Sequence, residues 1–149
     1  MHFTTLFVLK NKKLEELTKE EVENLFSERF CYNCGETTPK YQMWCDWFQT
    51  GGRWGDIIKA KKGIHCESSW SNDYAKPQNG IFSIVQINDL TEPLPRQKIY
   101  SIATKSKIIL KNEEWQWGNC VDEEKFNQML DDIDNKKFDG VIALFDCHD

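Results

Sequence analysis

The sequence lacks three features that would assign it quickly to a broad class of protein. No apolar run approaches the roughly 20 residues that a membrane-spanning helix needs. Basic charge is not in excess: 19 Lys and Arg against 24 Asp and Glu give a net charge of −5. The glycines do not follow the spacing of a Walker or Rossmann phosphate loop. We therefore expect neither a membrane protein nor a general nucleic-acid binder.

The amino-terminal segment also lacks the order of a secretory signal. In MHFTTLFVLKNKK the basic residues follow the apolar run, whereas a signal peptide places them before it. This order predicts an intracellular protein. In that setting the six cysteines are expected to be thiols or metal ligands in preference to disulfides.

Two helices are clearly marked. Thr18 and Glu21 form a capping box, and Asp122 is the expected N-cap of the second helix. Each helix then carries apolar residues at the spacing of one helical face. These residues are Val22, Leu25, Phe26 and Phe30 in the first helix, and Phe126, Met129, Leu130 and Ile133 in the second.

Strands are expected over residues 3–9, 82–87, 98–104, 107–110 and 141–145, with a hairpin turn at Asn112-Glu113 leading to a strand that carries Trp115 and Trp117. The element order predicts an α+β fold: an antiparallel sheet with both helices on one side, in a ferredoxin-like βαββαβ core. The sequence predicts one domain over residues 1–149. Residues 31–77, which are rich in aromatic residues and cysteine, are expected to be a folded insertion after the first helix.

The predicted topology makes the first and last strands antiparallel neighbours, so His2 should lie near Asp146 and His148. Strand alternation places Asp146 and His148 on one face and Cys147 on the other. Two histidines and a carboxylate there could bind a metal or perform acid–base chemistry, with Asp146 and His148 as the catalytic pair. A polar cluster that finishes the sheet edge is the alternative.

A second candidate site is the segment MWCDWFQTGGRWGD, residues 43–56. Arg53 offers a planar fork for phosphate or carboxylate, beside the flexible Gly51-Gly52 pair. Trp47 and Trp54 offer stacking faces, and Asp46 could orient the arginine or act as a base. The alternative is structural: a Trp–Arg stack and an Arg–Asp ion pair that hold the insertion on the sheet.

The cysteines suggest one structural zinc. A Cys-x-x-Cys pair is followed by a single cysteine and a His-Cys pair, although the second Cys-x-x-Cys that would make the pattern specific is missing. The alternative is that buried thiols pack as small apolar residues. The candidate ligands are Cys31, Cys34, Cys45, His65 and Cys66.

The second helix is acidic. Such a run usually forms a solvated face, but a surface that mimics phosphates and occupies a basic nucleic-acid channel is the alternative. The acidic residues are Asp122, Glu123, Glu124, Asp131, Asp132 and Asp134.

Three motifs in one order resemble a group of uncharacterised phage and prophage proteins. HFTTLFVL resembles their HFTVLV-type opening, DWFQTGGRWGD their DWYxxGGRW motif, and VIALFDCHD their terminal VDCHI-type strand. The segment IYSIATKSKIILKNEEWQWG occupies the place of their strand–hairpin–Trp-Gly stretch. The sequence departs from the pattern at Cys45, where Trp is more usual, and in its Cys31–Cys34 pair. The resemblance implies a phage or mobile-element origin and brings no established activity.

These observations lead to two main hypotheses of function. The first is a phage accessory protein in the host cell cytoplasm that binds a host defence protein or nucleoprotein complex, as an anti-CRISPR or other anti-immune inhibitor. The second is an enzyme or sponge for a nucleotide-like molecule, with Trp47 and Trp54 stacking, Arg53 on phosphate, and His148 with Asp146 in acid–base roles. A metal-stapled structural protein without a catalytic site is a third possibility.

Overall fold

The computed structural model describes residues 2–31, 45–51, 58–66, 80–111, 120–121 and 123–148. Two α-helices and nine strands lie in these ranges, in an α+β arrangement that confirms the predicted class. They are β1 (His2–Lys10), α1 (Lys19–Phe30), β2 (Trp47–Thr50), β3 (Ile58–Lys59), β4 (Ile81–Phe82), β5 (Ile84–Gln86), β6 (Ser101–Ala103), β7 (Ile108–Leu110), β8 (Cys120–Val121), α2 (Glu123–Asp134) and β9 (Gly140–His148).

The centre of the fold is the antiparallel pair of β1 and β9. Their register runs without a break from His2 opposite His148 to Lys10 opposite Gly140, as the predicted topology required. Gly140 is needed at the start of β9, because a Cβ atom there would lie 2.4 Å from the carbonyl oxygen of Leu9. This pairing fixes which side chains of the two strands stand side by side at each end.

The remaining strands extend the central pair in both directions. On the β1 side, β6 pairs in parallel with β1, β7 is antiparallel to β6, and β8 is parallel to β7. On the β9 side, β2 and β5 pair one after the other with β9, both antiparallel. The seven-stranded sheet is therefore mixed, and the prediction of an antiparallel sheet is corrected on this point. Strand periodicity reports burial, and it carries no information on strand direction.

The two helices cover opposite faces of the sheet, whereas the sequence analysis placed them on one. Phe3, Phe7 and Leu9 of β1 share a core cluster with the apolar face of α1. Leu6 and Val8, which point the other way, share a cluster with Phe126, Leu130 and Ile133 of α2. The physical reason is visible in β1, where residues 3–9 are all buried. A strand that is apolar on both faces needs a cover on both faces.

The structure contains the helix features that were predicted from the local sequence. The Glu21 amide donates to the Thr18 hydroxyl at 3.1 Å, and the Thr18 amide donates back to the Glu21 carboxylate, so the predicted capping box forms. Phe126, Leu130 and Ile133 are buried and Met129 is half-buried, as the predicted apolar face of α2 required. The expected N-cap, Asp122, and the Asn112-Glu113 hairpin with its two tryptophans lie outside the described residues.

Candidate functional site

Three strands bring the carboxyl end of the chain together with the start of β1 and the start of β2. His2 and Trp47 flank His148 on its two sides in the sheet. One pleat further in, Thr4 and Gln49 flank Asp146 in the same way. Side chains two positions apart on a strand share a face. These six residues therefore form one contiguous patch on the face of the sheet that α2 covers further along.

The first of two His–Asp pairs in this patch joins β1 to β9. Nδ1 of His2 lies 2.8 Å from Oδ1 of Asp146. The Asp146 side chain has no solvent exposure, and that of His2 is 12% exposed. A carboxylate in its ionised form only accepts hydrogen bonds, so Nδ1 of His2 is the donor whenever Asp146 is in that form. The buried carboxylate thereby fixes both the tautomer and the plane of the imidazole.

The second pair joins the residue before β2 to the end of β9. Nδ1 of His148 lies 2.9 Å from Oδ1 of Asp46, and the Asp46 amide donates to the His148 carbonyl at 3.0 Å. The two side chains are 41% and 29% exposed, so this pair faces solvent. The main-chain hydrogen bond holds Asp46 in register with His148, which explains how a residue outside the strand reaches the imidazole.

The two imidazoles lie against each other. Their ring centroids are 5.1 Å apart with planes inclined at 68°, and the Trp47 ring centroid lies 5.7 Å from that of His2. Because Nδ1 of each histidine is held by a carboxylate, ligation or proton transfer by these rings would use the second nitrogen, Nε2. We call the set of His2, Asp46, Trp47, Asp146 and His148 the corner site.

The structure thus joins two motifs that were predicted as separate sites. Asp46 and Trp47 of the aromatic motif meet Asp146 and His148 of the last strand, because β2 pairs with the end of β9. Arg53 and Trp54, the other two candidates in that motif, lie outside the described residues. His2 was predicted to join Asp146 and His148 in a cluster for metal binding or acid–base chemistry, although the catalytic pair named there was Asp146 and His148. The signal that identifies His2 is the antiparallel register of the first and last strands.

The glycine pair of the aromatic motif has a structural role at its first member. Gly51 has a φ of +74°, and a Cβ atom there would lie 2.8 Å from Oγ of Ser83. Its amide donates to the Leu144 carbonyl at 2.9 Å, which continues the pairing of β2 with β9. Glycine is therefore required where the chain leaves the strand that carries Trp47.

The predicted zinc ligands have different surroundings. Cys31 is disulfide-bonded, contrary to the expectation of thiols, and a sulfur in a disulfide is not the thiolate that zinc binds. Cys45 and Cys66 are buried thiols in the core under α1. The imidazole of His65 packs on the ring of Phe82, with 4.5 Å between the ring centroids. Cys34 lies outside the described residues, and within the described ranges no three His, Cys, Asp or Glu side chains form a group that could hold a metal. The zinc site stays a prediction for the reduced chain, to be tested by elemental analysis.

The acidic face of α2 is partly engaged within the fold. Arg96 forms ion pairs with both Asp131 and Asp134, and Lys137 lies 3.7 Å from Asp132. Burial acts to lower the pKa of Arg96, but its hydrogen bonds to the two carboxylates outweigh that effect and raise the pKa above its ordinary value. Three of the predicted acidic residues therefore pair with basic side chains of the same chain.

Comparison of the chain with protein families, with curated proteins and with solved structures finds no match. The resemblance to phage proteins therefore remains a prediction. None of the helices in the described ranges is long and apolar enough to cross a membrane.

Proposed function

We propose that the corner site binds a nucleotide-like phosphate ester and cleaves it by acid–base catalysis. The observation that carries the proposal is the pair of adjacent imidazoles, 5.1 Å apart, each oriented through Nδ1 by its own carboxylate. Histidine exchanges protons near neutral pH, and a carboxylate on Nδ1 orients Nε2 for that exchange. One His–Asp pair would be enough for a purely structural role at this end of the sheet. The presence of two adjacent pairs therefore favours a chemical role.

The surroundings of the two rings suit a phosphate ester attached to a flat group. Cleavage of such an ester removes a proton from the attacking oxygen and supplies one to the leaving oxygen, which two imidazoles in opposite protonation states can do together. Trp47 is half-buried beside His2 and provides an aromatic surface for a base. Arg53, three residues beyond β2 in the sequence, is the predicted phosphate ligand.

The test is a cleavage assay on a panel of phosphomonoesters, phosphodiesters and nucleotides, with purified protein and single variants. We expect His148→Asn and His2→Asn each to lower kcat about 100-fold or more, the usual contribution of one acid–base group. Asp89→Asn is the matched control: this half-buried carboxylate lies beyond the Gly140 end of β9, far from the corner site. Loss of activity in the control alone, or no activity of the wild-type protein on any ester, would contradict the proposal.

The counter-defence inhibitor is the alternative proposal. It rests on the resemblance to phage proteins and on the net charge of −5. The acidic residues that would imitate phosphates include Asp131 and Asp134, which pair with Arg96, and this weakens the argument from charge mimicry. Expression of the chain in a host with an active CRISPR system, followed by a plaque assay, tests it directly. Protection of the phage by wild-type protein and equally by His148→Asn would favour an inhibitor that acts by binding alone.

A further inference from the structure

We propose that a cavity at the other end of β1 from the corner site binds a small organic phosphate. The cavity has a volume of about 360 Å³ and lies at the Lys10 end of β1. At about 3.3 Å per residue, β1 separates this end from His2 by roughly 26 Å. The cavity is therefore distinct from the corner site, and binding there does not depend on the proposed function.

The lining of this cavity is basic, although the chain as a whole is acidic. Lys10, Lys105 and Lys107 line it together with three neutral polar residues, and no lining residue that the structure describes is acidic. The whole chain, by contrast, has a net charge of −5. A concave surface with charges of one sign raises the local concentration of ligands of the opposite sign. We therefore expect the ligand to be an anion.

Two of these lysines are held in place by the fold. The ammonium group of Lys10 lies 4.5 Å from the centroid of the Phe138 ring, a distance at which the cation is attracted to the ring face. The carbonyl of Lys105 accepts a hydrogen bond from Nε of Arg29 at 3.2 Å, which ties this part of the chain to α1. Within the described ranges neither ammonium group is paired with a carboxylate. Both positive charges can therefore face a ligand.

The turn between β6 and β7 adds neutral hydrogen-bonding groups. The Thr104 amide donates to the Lys107 carbonyl at 2.9 Å, which closes the turn over Lys105 and Ser106. The Ser106 amide donates to the Thr104 hydroxyl at 3.4 Å, whereas the Ser106 hydroxyl has no partner among the residues that the structure describes. Asn11 lines the cavity from the end of β1. Donors are thus available from both sides of the cavity.

The position of the cavity in the sheet is one where ligands commonly bind. β1 and β6 are parallel neighbours, with Phe7 opposite Ala103, so their carboxyl ends lie side by side. Lys10 and Asn11 belong to the end of the first strand, and the Lys105-Ser106 turn follows the second. In open sheets with parallel strands, ligands bind in the crevice outside the carboxyl ends of the strands.

The donors favour a phosphate over a carboxylate as the anionic group. A carboxylate is matched best by the planar fork of an arginine, whereas lysine binds phosphate as a point charge. The described lining contains three lysines and no arginine. Val8 and the half-buried Met129 add an apolar wall, and a methionine side chain adapts its shape to the group that packs on it. The ligand expected is therefore a phosphate attached to a compact apolar or aromatic body.

The test is an NMR titration of the ¹⁵N-labelled protein with phenylphosphonate, benzoate and inorganic phosphate. Phenylphosphonate has both the phosphate-like group and the aromatic body, and each of the other two probes lacks one of them. We expect phenylphosphonate to bind with saturation and to shift the amide signals of Asn11, Lys105 and Ser106. Benzoate and inorganic phosphate should each bind at least about 5-fold more weakly, the effect of losing one modest contact.

Variants of exposed lysines separate this cavity from general attraction of anions. Lys105→Ala should weaken the binding of phenylphosphonate about 5-fold, and the double variant with Lys10→Ala at least about 10-fold. Lys61→Ala is the matched control, because it removes the same charge from an exposed position outside this cavity. Its affinity should equal that of the wild-type protein. A urea melt of each variant should give an unchanged unfolding midpoint, since these side chains are exposed.

Each contrary result would overturn a stated part of the proposal. Absence of saturable binding, or shifts confined to Trp47 and His148 of the corner site, would overturn the cavity as a site. An equal loss in Lys61→Ala would show attraction by net charge alone. Benzoate bound as tightly as phenylphosphonate would overturn the choice of phosphate, and inorganic phosphate bound as tightly would overturn the role of the body. Phenylphosphonate contains no ester bond to hydrolyse, so these results do not depend on whether the corner site cleaves esters.

Discussion

The two faces of the sheet are built from the same strands and differ sharply in composition. The α1 face is aromatic: Phe7, Phe26, Phe48 and Phe145 lie with ring centroids 4.6–6.0 Å apart. The α2 face is largely aliphatic, with branched side chains of β1, β6, β7 and β9 against α2. The α2 face becomes polar at one end, where Thr4 and His2 follow outward from Leu6.

This difference locates the candidate functional side chains on the fold. On the α2 face of β9, Leu144 is followed by Asp146 and then by His148 toward the end of the strand. The corner site therefore lies directly beside the packed core, on the same strand. Backbone hydrogen bonds of the central strands therefore position Asp146 and the two imidazoles. A site built on strands holds its groups more accurately than a site built on a loop. On the α1 face the outermost residues of β1 and β9 that the structure describes are Phe3 and Cys147, which belong to the apolar core.

The largest expected loss of stability is at the centre of the aromatic face. Phe26 is fully buried and its ring meets those of Phe7, Phe30, Phe48 and Phe145. Phe26→Ala should lower the free energy of unfolding by about 3–5 kcal/mol, measured by urea denaturation. The half-buried neighbour Leu25 is the control, and Leu25→Ala should cost clearly less. Equal losses for the two would mean that the aromatic cluster is not the centre of this face.

The matching prediction on the aliphatic face concerns α2. Leu130 is fully buried between Phe126 and Ile133 on the face of the helix that meets the sheet. Leu130→Ala should cost about 2–5 kcal/mol, the range for truncating a buried leucine, in the same denaturation experiment. A loss below about half a kcal/mol would show that α2 does not pack on the sheet as described.

Local features and the pairing of the first with the last strand were predictable from the sequence, whereas the pairing of β2 with β9 was not. The Thr18–Glu21 capping box needs only neighbours three residues apart, and the facing of Asp146 and His148 needs only strand alternation. The contact between Asp46 and His148 depends on β2 joining the edge of β9, which lies about a hundred positions later in the chain and has no local signal. The opposite placement of the helices could have been inferred, since β1 is apolar on both faces.

A smaller loss of stability is expected when either carboxylate of the corner site is replaced. The two replacements can be compared directly. Asp146 is fully buried and Asp46 is 29% exposed, although each accepts a hydrogen bond from a histidine. Asp146→Asn should cost about 1–3 kcal/mol, because it removes a charged acceptor from the interior. Asp46→Asn should cost under about 1 kcal/mol, as is usual for a solvent-screened pair.

Thermal or urea unfolding of both variants, together with the cleavage assay, measures stability and activity separately. We expect Asp46→Asn to lose far more kcat than stability, since His148 would keep its place in the sheet but lose its fixed orientation. A variant Asp46→Asn that unfolds as easily as Asp146→Asn would assign Asp46 a structural role.

The smallest expected effect on stability comes from Arg53, which follows β2 in the aromatic motif. Arg53→Lys keeps the positive charge but replaces a planar fork with five donors by a single ammonium group. If the fork binds the phosphate of a ligand beside Trp47, the variant should fold with an unchanged unfolding midpoint and lose most of its activity or binding. Isothermal titration with a nucleotide measures binding, and a urea melt in parallel measures the unfolding midpoint. An Arg53→Lys protein that melts early would favour the structural reading, in which the arginine pairs with an aspartate to hold the insertion on the sheet. One that is stable and fully active would show that the site lies elsewhere than at Arg53.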